Sequence, residues 1–358
     1  MKITENVPLS SLTTMRLGGP ARYVIEIETP SDLETAHAFI LEKNLPFFIL
    51  GGGANTIGHD EGFPGVIIKN VITGIKHGRV TVAEGDPQNC SPILGEDSDR
   101  QDPSGVNFIT IMGGTVWDDA VAYACDHGYT GIEALSKIPG LAGAAPVQNI
   151  GAYGQDVSET FVSAEVYDFK EKTFKTLTKT DFNFSYRKSI LNTTEKNRYF
   201  VISITLELKQ GQMSRPFYNS IEKYIADHNC TDFSPNGIRK IVSTIRADKL
   251  PDPLEKASSG SFFKNIYLSE EEAKLAEAKG YPVYRGHDGI KINSGWLIEQ
   301  CGLKGQLLHG MRVSSTAALV LINESAKSYA DLAAARAEIT AAVQDKFGYT
   351  LEQEPMEI

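Results

Sequence analysis

Residues 46–56 read PFFILGGGANT, a continuous apolar run that ends in three glycines. The run PFFIL predicts a buried strand, because a strand is apolar on both faces when both faces are covered. Upstream, residues 23–28 are predicted to form a strand, and Ser31 with Glu34 has the spacing of a capping box that opens an amphipathic helix. This β-α-β opening with glycines at its end indicates a nucleotide-binding fold.

The rest of the chain also mixes strand and helix patterns. Thr115 and Gly128 are predicted to bound one helix, Ser269 caps another and Gly348 ends the last. Residues 85–106 are rich in Asp, Gly, Pro and Ser and are predicted to be an exposed excursion without a catalytic role. Apolar periodicity predicts strands at 66–70, 108–112 and 199–208, and helices at 116–127, 270–279, 296–302 and 328–347.

The composition is that of a folded globular protein. The chain has 358 residues, of which 41% are hydrophobic and 22% charged, and this length predicts two or three domains. A formal net charge of −10 without basic runs argues against nucleic acid as a partner. Neither a membrane-spanning run nor a secretory start is recognisable, so we expect a cytoplasmic protein. The four cysteines are scattered, and no metal site is predicted.

Two glycine-rich stretches are candidates for holding phosphates. GGGANT (51–56) lacks the G-x-G-x-x-G spacing, but consecutive glycines can turn several amides toward one anion; a tight turn without a ligand is the alternative. In IPGLAGAAPVQNIGAYGQD (138–156), small residues let a flat or charged group approach the backbone, and Gln148 and Asn149 add side-chain amides. Two such loops suit the two ends of a dinucleotide.

The run GSFFKN (260–265) places a serine hydroxyl and a lysine close together. In an ordinary half-buried strand, Phe262 would point to one face, and Ser261 with Phe263 to the other. Ser261 is otherwise a candidate proton donor. A serine is a weak acid, so a neighbour such as Lys249, Lys264 or an ordered water must then stabilise the charge it leaves.

These segments, together with TTMRLGGPA, SYRKSI, RADKLPDP, GWLIEQCGLKG and LEQE, resemble the UDP-N-acetylenolpyruvoylglucosamine reductase family over nearly the whole chain. The resemblance implies an α+β fold with a two-lobed FAD-binding module of the vanillyl-alcohol oxidase type and a separate α+β substrate-binding domain. The expected boundaries are lobe 1 at 1–70, rejoined by 349–358, lobe 2 at 71–250 and the substrate domain at 251–348.

The resemblance also implies a reaction. NADPH reduces a non-covalently bound FAD, which then reduces the enolpyruvyl ether of UDP-N-acetylglucosamine to UDP-N-acetylmuramate for peptidoglycan synthesis. Arg187, Ser261 and Glu354 fall on the family's catalytic positions. Chemically, Arg187 would hold the developing enolate, Ser261 would protonate the carbanion, and Glu354 would orient or donate a proton. Because the terminus reads LEQEP where the family has L-E-P-E-V, Glu352 is an alternative to Glu354.

The resemblance assigns two further groups of residues by position. The expected cofactor contacts are Gly51, Gly52, Gly53, Ala54, Asn55, Gly140, Gly143, Ala144, Ala145, Gln148 and Ile150. The expected substrate contacts are Tyr153, Tyr186, Tyr218, Lys249, Asn265 and Lys304. Among these, Tyr218 is similar to a tyrosine that folds over the substrate in the longer subclass of the family. We expect the small-molecule substrate and NADPH as partners of a monomer, with no membrane partner.

Two alternatives stay open. A different FAD-dependent oxidoreductase on the same module, such as an oxidase of a small alcohol or sugar, often tethers the flavin through His or Cys, and GGGANT contains neither. A non-catalytic nucleotide-sugar or flavin-binding homologue is suggested by the altered terminus. Against it, all three candidate catalytic residues are present.

Overall fold

A computed structural model describes residues 1–78, 106–286 and 289–358. The predicted excursion at 85–106 lies outside the described residues, except for Val106 at the start of a strand. The chain divides into two compact units. Unit 1 comprises Met1–Thr4, Val24–Gly51 and Val66–Arg246, and unit 2 comprises Glu5–Tyr23, Gly52–Gly65 and Ala247–Ile358. The three-part division expected from the sequence stays a prediction.

Helices and strands are interleaved along the chain, which confirms the α+β class. The helices are α1 (Asp32–Lys43), α2 (Trp117–Asp126), α3 (Val157–Thr160), α4 (Lys179–Phe182), α5 (Asn219–His228), α6 (Pro235–Lys249), α7 (Glu270–Ala278), α8 (Ser294–Gln300) and α9 (Tyr329–Phe347). The strands are β1 (Lys2–Pro8), β2 (Pro20–Ile27), β3 (Phe47–Leu50), β4 (Thr56–Ile57), β5 (Phe63–Asn70), β6 (Ile75–Gly78), β7 (Val106–Met112), β8 (Tyr129–Thr130), β9 (Gly151–Ala152), β10 (Gln155–Asp156), β11 (Phe161–Asp168), β12 (Thr173–Thr178), β13 (Tyr199–Gln210), β14 (Ser258–Ser261), β15 (Ile266–Leu268), β16 (Tyr284–Gly286), β17 (Gly289–Ile292), β18 (Leu307–Leu308), β19 (Met311–Val313), β20 (Val320–Asn323) and β21 (Met356–Glu357).

The predicted helix caps hold for the later helices. Ser269 and Glu272 form the expected capping box of α7. Helix α9 ends at Gly348, whose φ of +78° places it in the left-handed region that favours glycine. This helix also begins with a capping box, formed by Ser328 and Asp331.

Two predicted caps are wrong. Ser31 has helical backbone angles and no capping hydrogen bond, and the Leu33 amide, which a cap at this position could bind, donates instead to the Pro30 carbonyl at 3.1 Å. Thr115 does not cap α2. Its hydroxyl oxygen instead accepts the amide of Gly74 at 3.0 Å and lies 3.1 Å from the carbonyl oxygen of Gly74.

The strand that precedes GGGANT is less buried than predicted. Phe47–Leu50 pairs in parallel with β5, which lies between β3 and β2 in the sheet. Its sheet has the order β1–β2–β5–β3, so β3 lies at an edge. Only Leu50 is fully buried, and the three residues before it are half-buried, because an edge strand is covered less completely than a central one.

The larger sheet of unit 1 has the order β12–β11–β13–β7–β6 and packs its apolar face into a core with α2. Helices α5 and α6, which sequence patterns did not reveal, form a second core. Helix α6 is joined to α2 by two hydrogen bonds from Arg239 to the Asp118 carboxylate, at 2.6 and 3.0 Å. The buried members of the second core are Phe217, Ile221, Ile225, Ile238, Ile241, Val242 and Ile245.

Unit 2 contains two small antiparallel sheets, β14–β20–β19–β18 and β15–β17–β16, and the long helix α9. Its core combines residues from separate parts of the chain, including Met15, Ile57, Phe262 and Leu351. Within the three described ranges, no helix has the length and apolar character to cross a membrane, and no group of three His, Cys, Asp or Glu side chains is arranged to hold a metal.

Candidate active site

Ser261 is the last residue of strand β14 and lies opposite Val320 of β20. The pairing changes register between Ser258 and Ser261, and Gly260 has a φ of +66°. The alternation expected for a regular strand is therefore not kept. Phe262 and Phe263 are both buried in the core of unit 2, with ring centroids 5.0 Å apart. This packing holds the backbone next to Ser261. Ser261 itself is half-buried.

The segment that carries Glu354 pairs with the chain just after Ser261. The Glu354 amide donates to the Phe262 carbonyl at 2.9 Å, and the Lys264 amide donates to the Glu352 carbonyl at 2.9 Å. Further along, the Met356 amide donates to the Asn55 carbonyl at 3.0 Å. Glu354 therefore lies on a segment attached both to the Ser261 run and to the GGGANT loop.

The two candidate carboxylates have different surroundings. Glu352 forms an ion pair with Lys264, and 73% of its side-chain area is exposed. Glu354 is half-buried. A half-buried carboxyl next to the Ser261 run suits catalysis better than a surface ion pair, so the geometry favours Glu354. Lys264 is engaged by Glu352, which weakens its case as the group that stabilises charge on Ser261.

Arg187 lies at the tip of a tight hairpin. The backbones of Ser185 and Lys188 exchange two hydrogen bonds of 3.0 Å, and Arg187 has a φ of +54°. A non-glycine residue in this region is uncommon and costs on the order of 1–3 kcal/mol. The guanidinium donates to the Gly151 carbonyl at 2.9 Å and lies 4.9 Å from the ring centroid of Tyr186. The strained backbone and these contacts orient a permanent cation.

Two of the predicted substrate-binding tyrosines are neighbours in unit 1. The rings of Tyr153 and Tyr218 meet edge to face with centroids 6.0 Å apart, and Tyr218 is exposed. Arg246 of α6 is half-buried and interacts electrostatically with Tyr153, and burial lowers the pKa of this arginine. Burial likewise raises the pKa of Tyr153. Arg246 was not among the predicted site residues, although it is the first residue of the quoted run RADKLPDP.

Tyr186 lies in unit 1 beside Arg187, whereas the other three predicted substrate residues belong to unit 2 and have structural partners. Asn265 accepts the amide of Ser294 at 3.2 Å, at the start of α8. Lys304 forms an ion pair with Glu299 at 2.9 Å. Lys249 is the exposed last residue of α6, and its carbonyl accepts the hydroxyl of Thr316 at 2.7 Å. Their substrate contacts stay predictions.

The loop GGGANT fits an anionic cofactor. Within the described ranges, none of the amides of Gly52, Gly53 and Ala54 donates to the protein, so these groups are free to point at an anion. Gly53 has a φ of +66°, and a Cβ there would lie 2.0 Å from the carbonyl oxygen of Leu12. Only glycine satisfies both conditions.

Buried hydroxyl groups near this loop point to the same conclusion. Thr14 connects the loop to β14, because its amide donates to the Gly53 carbonyl at 3.1 Å and its hydroxyl to the Ser258 carbonyl at 2.6 Å. The hydroxyls of Thr13, Ser258 and Ser259 are buried and have no hydrogen-bond partner in the described part of the chain. Buried polar groups normally have partners, so polar groups from outside the protein are expected here.

The second glycine-rich loop has a different role. The amides of Gly143, Ala144, Ala145 and Ile150 all donate to carbonyls within unit 1. The Asn149 side chain is also engaged, since its oxygen accepts the amide of Ser158 at 3.0 Å, and its expected role as an amide group for the cofactor stays a prediction.

This second loop therefore contributes close packing more than hydrogen bonds. A Cβ on Gly51 would lie 2.7 Å from the Cβ of Ala144, so the two loops touch inside unit 1. Neither GGGANT nor 138–154 contains an acidic residue, which suits the negative charge of a pyrophosphate. The residues present fit a dinucleotide such as FAD.

Comparison with known proteins gives matches over the whole chain. The UDP-N-acetylenolpyruvoylglucosamine reductases from Ralstonia nicotianae and Thermobifida fusca are 32% and 34% identical, over 99% of this chain and 99% and 97% of theirs. A family model described as "UDP-N-acetylenolpyruvoylglucosamine reductase, C-terminal domain" matches residues 252–358. The crystal structure of UDP-N-acetylenolpyruvylglucosamine reductase from Thermus caldophilus aligns with a TM-score of 0.63 at 22% identity, covering 100% of this chain and 99% of that one.

The fold, the loops and these matches define an FAD-dependent oxidoreductase. Within that class, the chain belongs to the UDP-N-acetylenolpyruvoylglucosamine reductase family. The resemblance stated from the sequence motifs is thereby confirmed, and so is the expected enzyme class.

Proposed function

We propose that this protein catalyses the NADPH-dependent reduction of UDP-N-acetylenolpyruvoylglucosamine to UDP-N-acetylmuramate, a step of cytoplasmic peptidoglycan precursor synthesis. The observation that carries the proposal is the pairing of the Glu354 segment with the chain that follows Ser261. It brings a half-buried carboxyl close in the fold to the candidate proton donor. The full-length relatives named for this activity support the same reaction.

FAD would be held without a covalent bond, in a two-lobed module of the vanillyl-alcohol oxidase type. The free amides of Gly52, Gly53 and Ala54 would bind its pyrophosphate, while the second loop, with Gly140, Gln148 and Ile150, would shape the remainder of the site. When bound, FAD accepts hydride from NADPH and delivers it to the methylene carbon of the enolpyruvyl ether. The protein acts as a monomer with the domain division expected from the sequence.

The three candidate catalytic residues would act on the charge that this hydride creates. Addition at the methylene carbon leaves negative charge on the adjacent carbon and its carboxylate. Arg187, oriented by the hairpin and by Gly151, would stabilise that charge as it develops. Ser261 would transfer its proton to the adjacent carbon, and Glu354 would orient or replace that proton.

The substrate would also need groups that bind its diphosphate. Tyr218 is exposed beside Tyr153, and Tyr153 interacts electrostatically with Arg246. A partly desolvated cation is suited to an anion, because a negative group would offset its loss of hydration. Lys249 and Lys304 would add positive charge.

The experiment follows the flavin spectrum through both half-reactions under anaerobic conditions. The purified protein should be yellow, NADPH should bleach it, and the enolpyruvyl nucleotide sugar should restore the oxidised spectrum. A protein that takes up no FAD would contradict the proposal at its first step. Rapid reoxidation by oxygen with no response to the sugar would instead indicate an oxidase, and binding of the sugar without turnover would indicate a non-catalytic homologue.

A further inference from the structure

The segment that carries Glu354 is not fixed by a helix or by an extended sheet. From Thr350 to Pro355 the chain has a single isolated bridge, between Gln353 and Phe263. A cleft of about 670 Å³ lies between Thr350–Gln353 and the outer face of α9, near Thr340 and Gln344. Leu351 is buried in the core that it shares with α9, but the cleft separates the two residues after it from the helix, so polar side-chain contacts also bear on where Glu354 lies.

Arg336 supplies those contacts from both sides of Glu354. Its guanidinium donates to the side-chain oxygen of Gln353 at 2.5 Å, one residue before Glu354. It also forms an ion pair with Glu357, three residues after Glu354. The side-chain nitrogen of Gln353 in turn donates to the Pro355 carbonyl at 2.7 Å. One cation thus holds the chain on either side of the carboxylate: both bonds come from the same terminal nitrogen, Nη1, while Nη2 donates to the Tyr329 hydroxyl at 3.3 Å.

Arg336 itself is mounted on a rigid element. Helix α9 has a capping box at its start, a left-handed glycine at its end and a buried face in the core of unit 2. The residue next to Arg336, Ala335, is fully buried in that core, which also contains Phe262 and Phe263. Helix α9 and the backbone beside Ser261 therefore share one packed core.

The far side of Glu357 is also held. Its second carboxylate oxygen lies 3.1 Å from the ring nitrogen of His59, whose ring stacks on Tyr329 with centroids 3.8 Å apart. Burial acts to raise the pKa of Glu357, but hydrogen bonds with Arg336, Tyr329 and His59 lower it overall. The carboxylate is therefore held in the charged form that the ion pair requires.

We propose that Arg336 is a positioning residue of the reaction, which fixes the Glu354 carboxyl relative to Ser261 by holding Gln353 and Glu357. The inference rests on the proposed function, in which Glu354 acts in the second half-reaction. Arg336 is not expected to touch the substrate or the flavin. Its effect is transmitted through the backbone, where a displacement of about 1 Å can slow a reaction on the order of 10²-fold.

The test compares Arg336→Met with Arg285→Met in the FAD-loaded protein. Arg285 is a matched control, because it also forms an ion pair in unit 2, with Glu277, but lies on strand β16 and not on α9. Arg336→Met should slow reoxidation by the enolpyruvyl substrate about 10²-fold while flavin reduction by NADPH changes little. Arg336→Lys should be intermediate, since an ammonium keeps the charge but replaces a planar donor group with a single nitrogen on a flexible stem. Arg285→Met should leave both steps unchanged.

A second measurement does not depend on turnover. Hydrogen exchange at the amides of Glu354 and Met356 should accelerate in Arg336→Met and stay unchanged in Arg285→Met. Unchanged exchange, or equal slowing of both half-reactions, would overturn the positioning role. If the wild-type protein is never reoxidised by the sugar, the proposed function has failed, and the exchange experiment still decides whether Arg336 holds the segment. Glu357→Gln, which keeps the hydrogen bond but not the charge, covers the case in which Arg336→Met does not fold.

Discussion

The hairpin that carries Arg187 takes its shape from four consecutive residues, whereas the segment that carries Glu354 takes its position from residues far away in the chain. Arg187 is turned by the paired backbones of Ser185 and Lys188. Glu354 depends on Phe262, 92 residues earlier in the chain, and on the contacts of Arg336 with residues on either side of Glu354. Geometry that is set by neighbouring residues is kept when distant parts of the protein change, whereas geometry that is set by long-range contacts is not.

This difference bears on how each residue should respond to mutation. Changes far from the hairpin should leave Arg187 in place. Replacing Arg187 itself should therefore slow the reaction without destabilising the fold. Changes to the side chains of α9 or of the GSFFKN run that hold its segment should displace Glu354 without touching it. The following experiments are ordered from the largest expected effect to the smallest.

Ser261→Ala tests the chemistry on the long-range side. The variant removes the candidate proton donor, and Phe262 and Phe263 still pack the adjacent backbone into the core. Flavin reduction by NADPH should be unchanged, while reoxidation by the enolpyruvyl substrate should slow by about 10²–10⁴. Anaerobic stopped-flow absorbance measures both steps. Equal losses in the two steps would mean that Ser261 has a structural role only.

Arg187→Asn tests the local side. Asparagine tolerates left-handed backbone angles, so the hairpin should form and the melting temperature should stay close to that of the wild type. Without the guanidinium, reoxidation should slow by about 10²–10³, the usual effect of removing one group that stabilises developing negative charge. If the melting temperature falls sharply, the contact of Arg187 with Gly151 is structural and the comparison with Glu354 does not hold.

Glu354→Gln and Glu352→Gln form a matched pair two residues apart. Glu354→Gln should slow reoxidation about 10²-fold, because an amide has neither the charge of a carboxylate nor the acidic proton of a carboxylic acid. Glu352→Gln should have little effect, since it loses only a largely exposed ion pair with Lys264, of a kind that contributes about 0–1 kcal/mol. The reverse pattern would mean that the catalytic carboxyl is Glu352.

The response of the two units to acid gives the smallest expected effect. In unit 1, His37 is buried against Tyr167, with 3.0 Å between the ring nitrogen and the hydroxyl, and burial followed by the charge of Lys172 lowers the His37 pKa. The unfolded chain therefore binds the proton more readily. Stability from neutral His37 is complete above about pH 6.5, the ordinary histidine value, and is lost as the pH falls toward the lower folded pKa.

Unit 2 should begin to weaken at lower pH, because the folded pKa of Glu357 lies below its ordinary value of 4.5 and its contribution is lost only below that value. The chain has two tryptophans, Trp117 in unit 1 and Trp296 in unit 2, so Trp296→Phe and Trp117→Phe report each unit by fluorescence. Denaturant unfolding of both variants between pH 7 and 4 should show unit 1 weakening first. His37→Gln should remove this difference between the units. If the unfolding free energy of unit 1 still falls with pH in that variant, the assignment to His37 is contradicted.

Much of the fold could be predicted from local patterns, and the exceptions have physical causes. The capping box at Ser269 and the glycine after α9 are short-range signals that the structure keeps. Helix α6 was missed although Ile238, Ile241, Val242 and Ile245 recur at helical spacing and form one buried face. The cap at Ser31 failed because the chain already turns before it: its backbone angles are helical, and the Leu33 amide donates to the Pro30 carbonyl.

The candidate site divides in the same way. Motifs could nominate Arg187, Ser261 and Glu354, but not the partners that hold them. The choice between Glu352 and Glu354 depends on Lys264, 88 residues from Glu352, and on a register that no local pattern contains. Nor could the sequence indicate that the amides of GGGANT are unoccupied while those of the second loop are used internally.

The discontinuity of unit 2 has a consequence for how the chain folds during synthesis. Its core joins Met15, Ile57 and Leu351, so residues made at the start must wait for residues made near the end. Most of unit 1 is one long stretch, Val66–Arg246, and can form as it leaves the ribosome, since domains generally fold as units during translation. We expect nascent chains stalled before residue 351 to protect unit 1 from protease while the GSFFKN run is still cleaved. Equal protection of both units in such chains would contradict this order.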